Sequence, residues 1–441
     1  MKLALILSAG ALALAAPTQE QSPDARIAFP RKRHNQIRRA DGSVDLTWFK
    51  RTLKTTVLKY DSGFQLPEIL NDVDLLFKRD TDAEEHLTDV VEGQEDELYY
   101  GAGQVGAAKQ TFTFDFDTGS SDTFVPGPQC GTAQGCDGKT KYNQKGQDEH
   151  NTTTVTYGSG EVAGENYFDS VTVAGLTATH QNIISLTQAQ GFSGTGSDSL
   201  MGMAFQSIAN SKQPPFFFSL INQGKVSPTE FSFYLGRQKS GTAQNSELTL
   251  GGRDSSKYKG AFTQVPVTSQ TYWQVKIDGA SVGSNAAPAT APATTPGQAA
   301  IDTGTTLIIA PYAAAISIFS QIPGSVPLPL GAGIVGFAYP CASKPQVNLQ
   351  FAGKKFAVNP LDFNFGTLSE DYGIQLGNDT LSGLLGGLIN SYCVAGIAGA
   401  DLNPTSAENF WVVGDTFLKN WYSTFQYVNP QKAYVNFAKA V

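Results

Sequence analysis

The sequence predicts an all-β protein made of two related halves, and three observations carry that expectation. The composition favours turns and strands, with 45 Gly and 27 Phe in 441 residues and only 16% of residues charged. Few stretches keep a helical period. Strict alternation marks a strand in Thr111-Phe112-Thr113-Phe114-Asp115-Phe116-Asp117. Finally, one short pattern occurs twice. Phe116-Asp117-Thr118-Gly119-Ser120-Ser121 returns as Ile301-Asp302-Thr303-Gly304-Thr305-Thr306. Each copy is an apolar strand, then Asp-Thr-Gly, then two hydroxyl residues.

An echo so far apart implies that each half delivers one carboxylate to a shared place. Two carboxylates in contact cannot both ionise cheaply. At ~3 Å and an effective dielectric of ~20 they repel by roughly 5 kcal/mol, an upper figure of about four pKa units. Such a pair holds one proton over a wide acid range, so one member serves as base and the other as acid. Either aspartate alone would read as an ordinary turn residue, and only the pairing overturns that.

From the N-terminus, Lys2, the apolar run Leu3 to Leu14 and the small residues Ala13-Leu14-Ala15-Ala16 read as a signal peptide over 1–16. The run is too short to span a membrane, and no later stretch has ~20 unbroken apolar residues. Residues 17–79 read as a removable leader. They hold 12 Lys and Arg against 8 Asp and Glu, whereas 80–441 hold 18 against 31. An acidic body argues against nucleic acid as a partner, and a basic leader beside it suggests an internal clasp. Within the leader, Arg26 to Arg39 reads as a solvated basic run. Leu46, Phe49, Leu53, Val57 and Tyr60 fall at helical spacing. Lys78-Arg79 is a plausible processing point, followed by the acidic, mobile stretch expected from Asp80 to Glu97. The body divides by this reading into 80–250 and 251–441.

From Leu98 the strands begin. Asp117 ends the alternating strand where Gly119 permits a sharp turn. Asp115, Asp117 and Asp122 fail the calcium-loop spacing, so no metal site is expected. Val155-Thr156-Tyr157-Gly158-Ser159-Gly160 runs into a Gly-rich hairpin tip, and Val162 to Val173 returns. No Gly-Lys-Ser/Thr follows, which argues against a phosphate loop. Leu200-Met201-Gly202 is echoed by Val412-Val413-Gly414. Ala286 to Gln298 reads as a solvated loop. Asn151-Thr152-Thr153 and Asn378-Asp379-Thr380 are glycosylation acceptors by pattern. Trp411 to Val441 alternates like strands. Four cysteines in a secreted context suggest two disulfides. Three pairings are open; Cys130 with Cys136 and Cys341 with Cys393 is the simplest, each within one half.

These residues carry a resemblance. The chain resembles the pepsin-like aspartic endopeptidases, and most of all their secreted fungal, polyporopepsin-like branch. The resemblance spans the leader and essentially all of 98–441. It rests on Tyr99-Tyr100-Gly101, both Asp-Thr-Gly loops, the flap Tyr157-Gly158-Ser159-Gly160, Leu200-Met201-Gly202, Trp411-Val412-Val413-Gly414-Asp415 and both cysteine pairs. It implies a bilobal β fold with two barrel-like lobes and Asp117 and Asp302 meeting at the bottom of the cleft. Ser120 and Thr305 would donate to the outer carboxylate oxygens, Thr118 and Thr303 would brace the loops, and Gly119 and Gly304 would leave room for substrate. Tyr157, Gly158 and Ser159 would close over the peptide. Lys59-Tyr60 resembles the pair by which the propeptide sets a lysine against the aspartates.

The implied activity is acid proteolysis through an activated water, without a metal or organic cofactor. The implied product is a secreted or vacuolar monomer, made as a zymogen and inhibited by pepstatin-type compounds. Two residues depart from the pattern. Phe124 stands where the family usually has Trp, whose indole donates to the flap tyrosine. Ser159 stands where some fungal relatives carry Asp, so cleavage after Lys is expected to be weak and large apolar residues preferred. The rival readings fare worse. A catalytically dead binding or inhibitor protein would be expected to have lost an Asp, a loop Gly or the flap Tyr. A serine or metal hydrolase would need Gly-x-Ser-x-Gly or His-Glu-x-x-His, and the chain has only four His.

Overall fold

The structure, a computed structural model, describes residues 25–28, 39, 42–60, 99–157, 160–189, 197–242, 245–283, 294–331, 333–368, 391–402 and 409–441. The segment 1–16, Lys78-Arg79, the acidic stretch, Gly158, Ser159, the side chain of Tyr157, and Asn378 lie outside the described residues.

Strands dominate, in the all-β bilobal arrangement of pepsin-like proteins. The first half forms a seven-stranded sheet from β2 (Tyr100–Val105), β3 (Gln110–Asp117), β4 (Thr123–Pro126), β5 (Gln147–Tyr157), β6 (Gly160–Val173), β7 (Leu176–Ala189) and β8 (Ser199–Gly202). Their order is β2-β3-β8-β4-β7-β6-β5, and β2 also pairs with β6, curling the sheet toward closure. Phe112, Phe114 and Phe116 bury one face of β3, as its alternation predicts. The opposite row, Thr111, Thr113, Asp115 and Asp117, is read from the pattern as a solvent face. It sinks out of solvent instead, from exposed Thr111 to buried Asp115 and Asp117. The strand therefore runs under other structure at its C-terminal end. Between β6 and β7 the chain reverses at Ala174-Gly175, both with positive φ, which matches the twist of a two-residue hairpin.

The second sheet joins both halves. Strands β9 (Glu230–Tyr234) and β10 (Glu247–Leu250) pair through Trp421–Asn429 and Lys432–Ala440 to β11 (Tyr258–Gln270) and β12 (Trp273–Ile277), and the sheet continues through the second half. Residues on either side of position 250 thus share one sheet. Its core is aromatic: Phe231 stacks on Phe425 at 5.0 Å, and the Trp273 indole donates to Met203 O at 2.9 Å.

Two N-terminal pieces dock on this body. Ala25–Ala28, here β1, pairs antiparallel with β10, Ala25 opposite Leu250. This corrects the reading of Arg26 to Arg39 as wholly solvated. A sheet edge offers unpaired N–H and C=O groups, and backbone pairing is indifferent to side-chain charge. Helix α1, Leu46–Tyr60, forms as its periodicity predicts. Asp45 Oδ1 caps its first turn by accepting from Thr47 N and Trp48 N at 2.9 and 3.0 Å. Leu46, Phe49, Leu53 and Val57 are buried against Leu307, Ile309, Leu330 and Phe365 of the second half. Each contributes about 1.5–3 kcal/mol relative to exposure. The helix is thereby clamped with its last turn, and Lys59, over the junction of the halves. Both disulfides, Cys130–Cys136 and Cys341–Cys393, lie within a half.

Candidate active site

Each half builds its Asp-Thr-Gly loop in the same way. β3 ends at Asp117 and runs parallel to β8, with Asp117 opposite Gly202. Gly297–Ile301 leads to Asp302 and runs parallel to Phe410–Val413, with Ile301 opposite Val413. The second echo explains itself here. A Cβ on Gly202 would lie 2.4 Å from the Ser121 backbone, and one on Gly414 would lie 2.0 Å from Thr305 O. Only glycine lets the returning strand cross so close to the loop. The crossing then pins it: Met203 N donates to Asp117 O at 2.8 Å, and Asp415 N to Thr305 O at 2.8 Å.

The two loops lock across the junction. Thr118 N donates to Thr303 Oγ1 at 3.1 Å and Thr303 N to Thr118 Oγ1 at 3.0 Å. Each hydroxyl donates onward, Thr118 to Ile301 O at 2.8 Å and Thr303 to Phe116 O at 2.6 Å. All of these groups are buried. Thr118→Val should leave the Ile301 carbonyl and the Thr303 N–H unpaired, at about 1–3 kcal/mol each. A urea titration is expected to show about 2–5 kcal/mol lost from unfolding, and a loss below about 1 kcal/mol would contradict the brace.

The carboxylates are oriented by their own loops. Asp117 accepts from Gly119 N at 2.8 Å and Ser120 Oγ at 2.6 Å. Asp302 accepts from Gly304 N at 2.9 Å and from Thr305 Oγ1. The loops press on each other so closely that a Cβ on Gly119 would lie 2.6 Å from Asp302 Oδ1, and one on Gly304 would lie 2.4 Å from Asp117 Oδ1. The two aspartates are immediate neighbours, and each is at most 2% exposed.

Lys59 closes the constellation. Its Nζ lies 2.8 Å from Asp117 Oδ1 and 2.9 Å from Asp302 Oδ2. The Tyr60 hydroxyl donates to Asp302 Oδ2 at 2.8 Å, and its ring packs on Tyr272 at 4.7 Å and Phe410 at 5.9 Å. Burial opposes the Lys59 charge, but the two carboxylates outweigh it and hold the ammonium well above its ordinary range. Burial pushes Asp117 above the usual carboxylate range despite Lys59, with Asp302 adding to the push. For Asp302 burial acts the same way but is overcome by Lys59 and by hydrogen bonds from Asp117 and Thr305, so its carboxyl lies below the usual range. With Lys59 in place the environments are therefore split, the Asp302 carboxyl lying below the usual range and the Asp117 carboxyl above it.

Of the other residues singled out from sequence, Asn151 is exposed on β5, and Tyr157 pairs with Gly160 at the hairpin end. Phe124 is fully buried with Val155, Val162, Ile184 and Leu200 under that hairpin. Asp122 is engaged structurally, accepting from Asn210 N and Ser211 N at 2.7 and 3.0 Å. Sequence reasoning missed Tyr272, in the turn between β11 and β12, and Phe410, at the start of a strand, since a lone aromatic carries no pattern. It also missed the burial of Asp115.

Comparison with known proteins agrees with this geometry. The family model described as eukaryotic aspartyl protease matches residues 98–440. An aspartic protease of Phaffia rhodozyma is 35% identical over 412 residues, covering 92% of this chain and 88% of the relative. Cathepsin D of Dictyostelium discoideum is 34% identical over 354 residues, 79% of this chain and 84% of its own. Major aspartyl peptidase 1 of Cryptococcus neoformans var. grubii is 31% identical over 362 residues, 78% and 69% respectively. With a family match over nearly all of the strand-rich body, the chain belongs to the eukaryotic aspartyl proteases.

Proposed function

We propose that this aspartic-type endopeptidase is secreted as a zymogen and hydrolyses peptide bonds at acid pH through a water held between Asp117 and Asp302. The observation that carries the reading is the contact of two buried carboxylates, each fixed by its own loop. In the active enzyme Lys59 is gone and the pair keeps one proton. The ionised member removes a proton from the water, whose oxygen attacks the scissile carbonyl. The protonated member donates to the carbonyl oxygen as the tetrahedral species forms. A proton then passes to the leaving amine as the C–N bond breaks, and the dyad regains its starting state. Ser120 and Thr305 hold the carboxylate planes, and Gly119 and Gly304 leave space for the peptide backbone. Tyr157, Gly158 and Ser159 are assigned to the covering hairpin.

The leader takes the role of inhibitor. Lys59 occupies the place of the water, Tyr60 bonds Asp302, and α1 supplies the apolar grip. Residues 1–16 are assigned to export and 17–79 to the propeptide, with 80–250 and 251–441 as the two lobes of a monomer. Delivery is to the extracellular space or a vacuole. Among the described residues no helix is long and apolar enough to cross a membrane. Asn151 and Asn378 are the proposed glycan acceptors.

The test is digestion of an unfolded protein such as casein at pH 3 with and without pepstatin. Cleavage is expected beside large apolar residues and only weakly after Lys, and pepstatin is expected to stop it. Pepstatin-resistant cleavage would contradict the reading.

A further inference from the structure

Charge is unevenly spread over the body. Residues 80–441 hold 18 Lys and Arg against 31 Asp and Glu, yet five of those bases gather around the start of β11. Lys259 of β11 stands directly opposite Lys439 of Lys432–Ala440. Lys439 Nζ donates to Asn420 Oδ1 at 2.6 Å, beside Lys419. Lys419 Nζ and Arg237 Nη2 lie 3.3 and 2.6 Å from the Asp362 carboxylate. Lys239 Nζ donates to Leu361 O and Asn364 O, on either side of that aspartate, both at 2.6 Å. Like charges set opposite each other on adjacent strands weaken a sheet. The crowding is felt at Lys439: burial, Arg237 and Lys259 hold its ammonium below the ordinary lysine range, with Asp362 opposing them. Lys259 is exposed and Lys439 half-buried, so an anion can reach both.

The acidic stretch joins the body at the same place. Residues 80–97, which lie outside the described residues, carry nine Asp and Glu and no Lys or Arg. The described chain continues at Tyr99, whose hydroxyl donates to Gly236 O at 2.8 Å, one residue from Arg237 and three from Lys239. Glu95, Asp96 and Glu97 thus fall within four residues of an anchored point, a reach of at most ~14 Å. The whole stretch, extended, spans up to ~60 Å, so the tether does not keep its other acids from Lys259 and Lys439. A segment tied beside a face meets it at an effective concentration on the order of millimolar, which favours it over a free partner of the same charge.

We propose that the basic face formed by Arg237, Lys239, Lys259 and Lys439 is the docking surface of the chain's own acidic stretch, residues 80–97. The stretch follows the proposed propeptide, so the contact holds it to the body before and after the leader is removed. This goes beyond the peptidase reading and does not depend on it.

The test uses the full chain carrying Asp302→Asn, so that self-cleavage plays no part, with and without the pair Lys259→Glu and Lys439→Glu. The probe is a glutamate-specific endopeptidase at neutral pH, for which the stretch offers Glu84, Glu85, Glu92, Glu95 and Glu97. Salt is set at about 0.01 M or about 1 M, where charges are felt over ~30 Å or ~3 Å. In low salt the stretch of the parent chain is expected to be cut on the order of tenfold more slowly than that of the double variant, and in high salt the two should be cut alike. Dextran sulfate added in low salt should compete for the face and raise the parent's rate to that of the variant. Equal rates in low salt overturn the proposal. So does dextran sulfate that binds the parent without raising its rate, for the face then serves an external polyanion. Protection confined to a dimer in analytical ultracentrifugation overturns it too, for the face then belongs to a second copy. Should the double variant fail to fold, Lys259→Glu alone, at an exposed position, is expected to raise the low-salt rate about threefold, and no rise overturns the proposal.

Discussion

Asp302→Asn is expected to lower casein cleavage at pH 3 by a factor on the order of 10³ or more, with the fold intact. Asparagine matches aspartate in shape, and its carbonyl oxygen can still accept from Gly304 N, as the carboxylate does at 2.9 Å. What it cannot do is ionise. With Lys59 gone the pair shares one proton, so the variant loses one of the two ionisable groups that trade it. Asp117 remains without a partner to serve in the opposite proton-transfer role. Far-ultraviolet circular dichroism and the urea midpoint should stay close to wild type. Activity within tenfold of wild type would show that Asp302 takes no part in the proton transfers.

Lys59→Met should release the precursor from its dependence on acid. The thioether keeps the stem of the side chain but removes the ammonium that touches both aspartates, at 2.8 and 2.9 Å. Removing one partner of a buried ion pair typically costs about 3–5 kcal/mol, a shift of about 10²–10⁴ toward the undocked leader. The sign with pH follows from the groups themselves. Asp302 is depressed while Lys59 is in place, so its contribution to docking is full above the ordinary carboxylate value of about 4 and fades as pH falls through the lowered one. Lys59 is raised, so its contribution is lost only in strong alkali. Asp117 is raised by burial, and its contribution is lost as pH rises, so it gives no acid release. Acid therefore loosens the wild-type leader through Asp302. The variant lacks that lock at every pH. Its maturation at pH 6, followed by gel, should run tenfold or more faster than wild type, and the gap should narrow as pH falls from about 4 towards about 2. Equal rates at pH 6 would mean that the apolar grip of Leu46, Phe49, Leu53 and Val57 alone holds the leader.

How much of this was legible in the sequence depends on whether a residue leaves a pattern. Helix α1 was readable because its buried residues repeat at helical spacing, and β3 because Phe alternates with polar residues. The neighbouring aspartates were readable because the fold uses the same loop twice, and the repeat survives as Asp-Thr-Gly. Gly202 and Gly414 were visible as an echo, but their reason, a backbone crossing, needed coordinates. The pairing of β1 with β10 was hidden because backbone hydrogen bonds leave no trace in side chains. Tyr272 and Phe410, which wall in Tyr60, are single aromatics, one in a turn and one at the start of a strand. Asp115 was misread for the opposite reason: alternation assigned it to solvent, and only packing over the end of β3 reveals its burial.

The most direct measurement is the pH dependence of kcat/KM for the mature enzyme on a single uncharged peptide, followed from pH 1 to pH 8. Carboxylates that share a proton should give a bell with two apparent ionisations several units apart, one below and one above the ordinary carboxylate value. A single ionisation near pH 4, or a rate that keeps rising to neutrality, would mean that Asp117 and Asp302 titrate independently.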